Sequence, residues 1–452
     1  MTAALARARP AAAPVRVGLL GAGTVGGGTF AVLARNADEI ARRAGRAIQI
    51  VRVADLDLER ARAVVGDRAE VTTDAASVVE AADIDVVIEL IGGYGVARTL
   101  VMRAIAAGKH VVTANKALLA VHGNEIFEAA HARGVMVAFE AAVAGGIPII
   151  KALREGLAAN RIEWIAGIIN GTTNFILSEM RSRGLPFAQV LAQAQALGYA
   201  EADPTFDIDG IDAAHKVTIM AAIAFGTPMR FGAAHVEGIR TLDERDIRFA
   251  ERLGYRIKLL GIARRRMREG QALGFELRVH PTLIPASRLL ASVEGAMNAV
   301  WVRGDAVGDT MFYGKGAGAE PTASAVVADL VDVTRTLTAD PDHRVPHLAF
   351  QPDALTDLPV LPISEVESAY YLRLAVADQP GVLADITRIV AQHNISIGSV
   401  LQPEPAAGDA TTDVVLLTHR ALERDVDRAL EEMAALPTIV GPIVRLRMED
   451  LA

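Results

Sequence analysis

The chain contains no cysteine and few aromatic side chains, which make up 4% of its 452 residues. Without cysteine, disulfide bonds, thiol catalysis and cysteine-ligated metal sites are excluded. No apolar run is long enough for a membrane-spanning helix or for the core of a signal peptide. The formal net charge of -8 gives no general attraction to nucleic acid or to anionic membranes. We therefore expect a cytoplasmic protein with no nucleic-acid or membrane partner.

What the chain does contain is enough apolar material for several packed cores. Hydrophobic residues make up 51% of the sequence, and a chain of this length corresponds to about two to four domains. The first fourteen residues are rich in alanine, proline and arginine and predict a disordered tail at 1–14. An organellar transit peptide is the alternative, but the segment is short and has no serine.

From residue 15 onward, short apolar runs alternate with helical patterns. Predicted strands lie at 15–20, 48–53, 86–91, 110–113 and 135–139. This alternation predicts an α/β fold with a doubly wound parallel sheet. After Pro148 longer strands and helices predict an α+β domain, and the segment 338–363 is proline-rich and predicts a linker. The remaining residues predict the order βαββαβ, a ferredoxin-like arrangement.

A glycine turn follows the first predicted strand. Gly21, Gly23 and Gly26 match G-x-G-x-x-G between a strand and a helix, a dinucleotide-binding pattern of the Rossmann type, in which a pyrophosphate lies at the helix N-terminus. The alternative is a purely structural glycine turn. Asp55, at the end of the second strand, is placed to accept from ribose hydroxyls, although Asp55 and Asp57 also fit ordinary turn residues.

Two further segments suit a zwitterionic amino-acid substrate. Gly171 and Thr172 begin a predicted helix and can bind a carboxylate, although an ordinary helix cap fits them equally well. The stretch 197–216 concentrates acidic residues and one lysine. Asp212 and Lys216 lie one helical turn apart, so they share a face. A solvated surface pair is the alternative, but acids beside a lysine can bind an ammonium group and exchange a proton.

Five motifs in this order resemble the homoserine dehydrogenase family: GAGTVGGG, TANKALLA, EAAVAGGIPII, GIINGTTNFIL and LGYAEADPTFDIDGIDAAHK. The resemblance covers roughly residues 15–340. The segment VADQPGVLADITRIV is similar to the first strand, turn and helix of an ACT domain. The implied boundaries are a Rossmann domain at 15–140 completed by a returning helix at 318–340, a substrate-binding and dimerisation domain at 141–317, a linker at 341–367 and an ACT domain at 368–452.

The resemblance implies reversible NAD(P)-dependent hydride transfer between L-homoserine and L-aspartate 4-semialdehyde, in threonine, methionine and isoleucine biosynthesis. It assigns catalytic roles to Lys116, Lys216 and Asp212. Substrate binding is assigned to Glu201, Asp207, Gly171 and Thr172. Cofactor binding is assigned to Gly21, Gly23, Thr24, Val25, Gly26, Asp55, Ile91, Lys116 and Gly318. A monovalent cation, commonly sodium, is assigned to Glu140, Val143, Gly145 and Ile147.

One position departs from many members of the family. They carry arginine just before the acid that ends the second strand, whereas this chain has Ala54. Arg60 is the nearest cation downstream, so the choice between NAD and NADP stays open, with NAD expected to be usable. The resemblance also implies a homodimer or homotetramer, with L-threonine as the effector of the ACT domain.

Two rival interpretations are a Rossmann oxidoreductase of another family and a catalytically inactive amino-acid sensor. The acidic stretch 197–216 argues against the first, and the presence of both Lys116 and Lys216 argues against the second. A substrate panel distinguishes the first rival, and a simple absorbance assay distinguishes the second.

Overall fold

The computed structural model describes residues 13–404 and 410–451. The predicted tail at 1–14 lies outside the described residues except for its last two positions. The chain divides into two compact units. The first unit comprises residues up to 161 together with 219–229 and 314–356, and the second comprises 162–218, 230–313 and 357 to the C-terminus.

Besides short 3-10 and π segments, helices and strands alternate along the chain up to residue 161. They are β1 (Val15–Leu20), α1 (Thr24–Arg35), α2 (Ala37–Ala44), β2 (Ile48–Ala54), α3 (Leu58–Val65), β3 (Glu70–Thr72), α4 (Ala75–Glu80), β4 (Val86–Glu89), α5 (Gly95–Ala106), β5 (His110–Thr113), α6 (Lys116–Arg133), β6 (Val137–Ala138) and α7 (Ile149–Lys151).

Those from residue 162 to 336 are β7 (Ile162–Ile168), α8 (Gly171–Arg183), α9 (Phe187–Ala196), α10 (Thr205–Ile208), α11 (Ile211–Phe225), β8 (His235–Val236), α12 (Glu244–Arg252), β9 (Tyr255–Arg268), β10 (Gln271–Pro285), β11 (Met297–Gly304), β12 (Gly308–Lys315) and α13 (Ala319–Thr336). The remainder are β13 (Glu367–Ala377), α14 (Val382–Gln392), β14 (Ile397–Leu401), β15 (Thr411–Thr418), β16 (Ala421–Leu422), α15 (Glu423–Ala434) and β17 (Val444–Met448).

The first unit is built on a six-stranded parallel sheet in the order β3-β2-β1-β4-β5-β6. This is the strand order of a doubly wound dinucleotide-binding fold, and it confirms the predicted fold class. The residues of β4 and β5 are all buried, as expected for central strands of a parallel sheet, and their apolar residues are adjacent rather than alternating. The carboxyl ends of the strands therefore present their loops along one edge of the sheet.

The late helix α13 returns to the first unit and packs against α1. A Cβ placed on Gly28 would lie 2.6 Å from the carbonyl oxygen of Ala319, so the two backbones touch at a glycine. Arg35 of α1 also binds Glu320 through two hydrogen bonds of 2.7 and 3.2 Å. The start of α13 is thereby fixed beside the helix that follows the glycine turn.

The second unit contains an eleven-stranded sheet, with the main path β12-β11-β7-β9-β10-β17-β13-β15-β14. Its last four strands, with α14 and α15, form the predicted ferredoxin-like arrangement. The final strand β17 pairs with β13 on one side and, in parallel, with β10 on the other. The C-terminal domain and the substrate domain therefore share one continuous sheet.

Several element boundaries differ from the sequence-based expectations. The single helix expected after the glycine turn is two helices, because the chain leaves helical geometry at Asn36. The strand expected at 86–91 ends at Glu89, and β3 and β12 were not predicted. The last strand of the predicted βαββαβ order is β17, which begins at Val444. Among the described residues, no helix has both the length and the apolarity needed to cross a membrane.

Candidate active site

The glycine turn after β1 has the geometry that its sequence predicted. Gly21 has φ 93°, a conformation that favours glycine, and its N–H donates to the carbonyl oxygen of Ala54 at 2.8 Å. A Cβ on Gly26 would lie 2.0 Å from the carbonyl oxygen of Gly21, so α1 can approach the turn only with glycine there. Apart from its two chain neighbours, no heavy atom lies within 4 Å of a Cβ built on Gly23, so the helix N-terminus is open at this point.

The carboxylate of Asp55 is bound to this turn. It accepts from the N–H of Ala22 at 2.6 Å and from the N–H of Asp57 at 2.8 Å, and Arg60 donates to it at 2.9 Å. Burial raises the pKa of Asp55, but these hydrogen bonds and the charge of Arg60 outweigh it and hold the pKa below its usual value. Asp57 caps α3, as the alternative turn interpretation expected, whereas Asp55 joins two loops at the sheet edge.

A buried glutamate that was not among the sequence-based candidates organises the next two loops. Glu89 is fully buried, and it accepts from the N–H groups of Ile91 and Gly92 and from the hydroxyl of Thr113 at 2.9, 3.0 and 2.7 Å. The signal in the sequence was a carboxylate at the end of a wholly apolar strand. Such a group remains buried only when hydrogen bonds satisfy it.

Lys116 is the first residue of α6 and is positioned by the asparagine before it. The Asn115 side chain caps the helix by accepting from the N–H of Leu118 at 3.1 Å, and it donates to the carbonyl oxygen of Gly93 at 2.8 Å. The two loops after β4 and β5 are therefore joined through one amide.

Gly318, which was also assigned to the cofactor, lies at the start of α13 and has φ 126°, a conformation that favours glycine.

The four residues assigned to a cation lie in and just before one tight loop. Glu140 is 2% exposed, and its two carboxylate oxygens accept from the N–H groups of Ile150 and Lys151 at 2.9 and 2.8 Å. Burial raises the pKa of Glu140, and these hydrogen bonds oppose the shift. Gly145 has φ 49°, and a Cβ on it would lie 2.5 Å from the carbonyl oxygen of Gly316. The loop that also contains Val143 and Ile147 is thus held rigidly.

In the second unit, Asn170 joins the predicted substrate acids to the helix that follows β7. Its side-chain N–H groups donate to Asp207 at 2.8 Å and to Asp212 at 2.9 Å. Its side-chain oxygen accepts from the N–H of Thr173 at 2.8 Å and so caps α8. From the sequence this asparagine was recognisable only as part of a motif, because its partners are 37 and 42 positions away.

Lys216 completes this cluster, which we call the acid–lysine cluster and define as Asn170, Asp207, Asp212 and Lys216. The ammonium group donates to Asp212 at 2.6 Å and to the carbonyl oxygen of Ile169 at 2.7 Å. Burial and the neighbouring Asp212 raise the pKa of Asp207, whereas Asn170 and Lys216 oppose the rise. The alternative of a solvated surface pair is therefore wrong: Lys216 is 8% exposed and Asp212 is 4% exposed.

The other predicted substrate residues occupy three different settings. Thr172 donates from its hydroxyl to the carbonyl oxygen of Tyr199 at 2.6 Å, which ties α8 to the loop before the acids. A Cβ on Gly171 would lie 2.8 Å from the carbonyl oxygen of Ala296, so a larger residue there would displace that loop. Glu201 lies on an exposed stretch between α9 and α10.

Family models match the chain in three consecutive parts. The model for the NAD-binding domain of homoserine dehydrogenase matches residues 21–140, the homoserine dehydrogenase model matches 148–331, and the ACT domain model matches 370–438. The homoserine dehydrogenase of Pseudomonas aeruginosa is 60% identical over 97% of this chain and 99% of its own length. That of Neisseria gonorrhoeae is 58% identical, with the same two coverages.

Solved structures agree with these matches. The crystal structure of a homoserine dehydrogenase from Thiobacillus denitrificans is 64% identical and superposes with a TM-score of 0.92, over 97% of this chain and 99% of that one. A hyperthermophilic archaeal homoserine dehydrogenase in complex with NADPH is 26% identical, with a TM-score of 0.59, and covers 71% of this chain and 98% of its own. The chain belongs to the homoserine dehydrogenase family, and it is an oxidoreductase acting on a CH–OH group that carries a C-terminal ACT domain.

Proposed function

We propose that this enzyme interconverts L-homoserine and L-aspartate 4-semialdehyde with NAD(P), and that L-threonine regulates it through the ACT domain. The observation that carries the substrate assignment is the acid–lysine cluster. Two carboxylates that share the Asn170 amide, one of which also pairs with the Lys216 ammonium group, suit a zwitterionic substrate with a reacting oxygen. Asp207 and Glu201 are assigned to the substrate ammonium group, and Gly171 and Thr172 to its carboxylate.

Lys216 is assigned the proton transfer. In the direction of aldehyde reduction, its ammonium group donates a proton to the carbonyl oxygen as hydride reaches the carbon, and in the reverse direction the amine takes the hydroxyl proton back. Asp212, at 2.6 Å, stabilises the charged form and orients it. Lys116, at the start of α6, is assigned to the substrate oxygen and to placement of the cofactor.

The first unit has features that fit a dinucleotide. The open helix N-terminus at Gly23 suits a pyrophosphate, and Thr24 and Val25 supply the first N–H groups of α1. Asp55 suits the adenosine ribose, while Ile91 and Gly318 lie on loops of the same unit. When bound, the nicotinamide donates or accepts the hydride. Because Ala54 carries no charge, the preference for NAD or NADP depends on Asp55 and Arg60.

A substrate panel tests the reaction. We expect reduced nicotinamide to appear, measured by absorbance, with L-homoserine and at a much lower rate with L-serine and L-threonine. Faster turnover of another hydroxy amino acid would overturn the substrate assignment. No turnover with any hydroxy compound would favour the inactive-sensor interpretation.

A monovalent cation, with sodium as the proposed ion, is assigned to the loop at Glu140, Val143, Gly145 and Ile147. Glu140 and the backbone carbonyl oxygens of Val143, Gly145 and Ile147 are the proposed donors, because hard cations prefer oxygen ligands. Replacing sodium chloride by choline chloride at constant ionic strength should lower the rate. An equal rate in both salts would contradict this assignment.

Threonine binding is assigned to the turn between β13 and α14. Gly381 has φ 96° and is the N-cap residue before α14, and apart from its chain neighbours nothing lies within 4 Å of a Cβ built on it, so a ligand can approach the backbone there. We expect L-threonine to inhibit the wild-type enzyme. Gly381→Ala, which strains this turn, should weaken inhibition without changing the uninhibited rate, and equal inhibition of both proteins would refute the assignment.

A further inference from the structure

The short segment from His235 to Arg240 lies between the C-terminal domain and the substrate acids, all within the second unit. Its first two residues form β8, which pairs with β10, and the N–H of Glu237 donates to the carbonyl oxygen of Val279 at 2.8 Å. The segment is therefore fixed along the central sheet at its beginning. Its remaining residues contact different partners on each side.

On one side, Glu237 is held by arginines of β17, the last strand of the ACT domain. Arg447 donates to the two carboxylate oxygens of Glu237 at 2.8 and 3.0 Å, and Arg445 donates at 3.3 Å. The Arg447 side chain is 1% exposed and also binds the buried Glu423. Burial alone raises the pKa of Glu237, but hydrogen bonds from His235 and Arg447 hold it far below its usual value. Glu237 and the two arginines therefore form an ion-pair network.

On the other side, the residues after Glu237 touch the segment that consists of the short helix α10 and the turn after it, which we call the loop 205–210. A Cβ on Gly238 would lie 2.2 Å from the carbonyl oxygen of Ile208, and the N–H of Ile239 donates to the same oxygen at 2.8 Å. The guanidinium group of Arg240 binds the carboxylate of Asp209 and donates to the Thr205 hydroxyl at 2.8 Å. These contacts leave the loop little freedom to move independently of the segment.

The loop 205–210 carries Asp207, which belongs to the acid–lysine cluster through Asn170. A displacement of Glu237 would therefore move the carboxylate of Asp207, because Gly238 and Ile239 both contact the backbone of Ile208. Lys216 is not part of this chain of contacts. Such a displacement would change the position of Asp207, whereas Lys216 also has a hydrogen bond of its own to the carbonyl oxygen of Ile169.

We propose that Glu237 is a positioning residue that couples the ACT domain to the substrate-binding loop. Arg445 and Arg447 hold the Glu237 side chain by ion pairs. The residues that follow Glu237 hold the loop 205–210 by their contacts, and the position of that loop determines the position of Asp207. The role of Asp207 in binding substrate rests on the proposed function, whereas the mechanical link does not. A change in the ACT domain that moves β17 would act on substrate affinity more than on the chemical step.

The test uses the full-length enzyme and three variants. Glu237→Gln removes the charge at nearly constant shape, and Glu237→Asp keeps the charge on a shorter side chain. Glu244→Gln is the matched control, because its side chain is equally exposed, at 32%, and pairs with Arg248 on the surface of α12. We expect Glu237→Gln to raise the KM for homoserine about tenfold, a typical size for coupling between sites, with kcat and the cofactor KM nearly unchanged. Glu237→Asp should recover part of the loss.

An unchanged homoserine KM in Glu237→Gln, or equal changes in kcat and in both KM values, would overturn the proposal. Amide hydrogen exchange separates this outcome from failure of the proposed function. The N–H groups of Asp207 and Ile208 donate to the carbonyl oxygen of Pro204 at 3.0 Å, so the loop has amides that report its order. Peptides covering 205–210 should exchange faster in Glu237→Gln than in Glu244→Gln, whatever the substrate is. Unaltered exchange there would show that the link does not exist.

Discussion

The ammonium nitrogen of Lys216 lies 2.6 Å from a carboxylate oxygen of Asp212, one helical turn away on α11, and both side chains are buried. An ion pair of this kind is costly to bury unless further hydrogen bonds satisfy it. In this cluster Asn170 and the carbonyl oxygen of Ile169 supply them. A lysine held in this way is part of a buried hydrogen-bonded cluster rather than a solvated surface group.

We expect Lys216→Ala and Lys116→Ala each to lower kcat by about 10²–10⁴-fold, the usual contribution of general acid–base catalysis. Circular dichroism should show that both variants remain folded. Arg42→Ala, on the exposed surface of α2, serves as the control. Near wild-type turnover in either lysine variant would remove that lysine from the mechanism.

The cofactor preference should depend on the end of β2. Ala54 offers no cation to a 2′-phosphate, and Arg60 is already paired with Asp55 at 2.9 Å. We expect kcat/KM with NAD to be at least comparable to that with NADP, and we expect Ala54→Arg to shift the ratio towards NADP. A strong preference of the wild-type enzyme for NADP would instead indicate that Arg60, or another cation, binds the 2′-phosphate.

The large sheet of the second unit has edge strands at β12 and β14. Exposed edges invite pairing with another chain, and symmetric oligomers commonly close them. We expect light scattering at micromolar concentration to give the mass of a homodimer or homotetramer. A monomeric mass would contradict the assignment of a dimerisation domain.

Removal of the ACT domain should lower the free energy of unfolding of the remaining chain, although the domain lies at the end of the sequence. Deletion after Asp340 takes away Arg373, which binds the buried Asp246 at 2.6 Å, and Glu449, which pairs with the buried Arg278. Breaking one buried pair typically costs about 3–5 kcal/mol. We therefore expect the shortened chain to melt well below the full-length enzyme. Equal melting temperatures together with full activity would show that the catalytic part folds independently.

Stability should also depend on pH through Asp329 on α13. Burial raises its pKa from 3.8 to about 7, and Lys151 only partly offsets this. Between these two values the folded chain holds a proton that the unfolded chain has released, so the free energy of unfolding falls as pH rises through that window. Urea denaturation at several pH values should show this fall in the wild type. It should be smaller in Asp329→Asn, and Asp353→Asn, in an exposed segment, should behave as the wild type does.

The sequence by itself determined the elements that depend on local pattern. The glycine turn at Gly21 follows from the conformation that the turn requires, and β4 and β5 follow from the short apolar stretches at 86–88 and 111–112. The ferredoxin-like order of the C-terminal domain was also predictable, because its strands and helices have clear periodicities. Resemblance to the family then placed Lys116 and Lys216 among the candidate site residues.

Only the tertiary structure decided which distant residues meet. Asn170 bridges two acids that lie 37 and 42 positions later, and no local pattern encodes that distance. The burial of Glu89 depends on hydrogen-bond donors from two separate loops. Likewise, β17 pairs with β10, a strand far away in the sequence. The buried ion pair between Arg278 and Glu449 stabilises this pairing. Local propensity does not specify such long-range contacts.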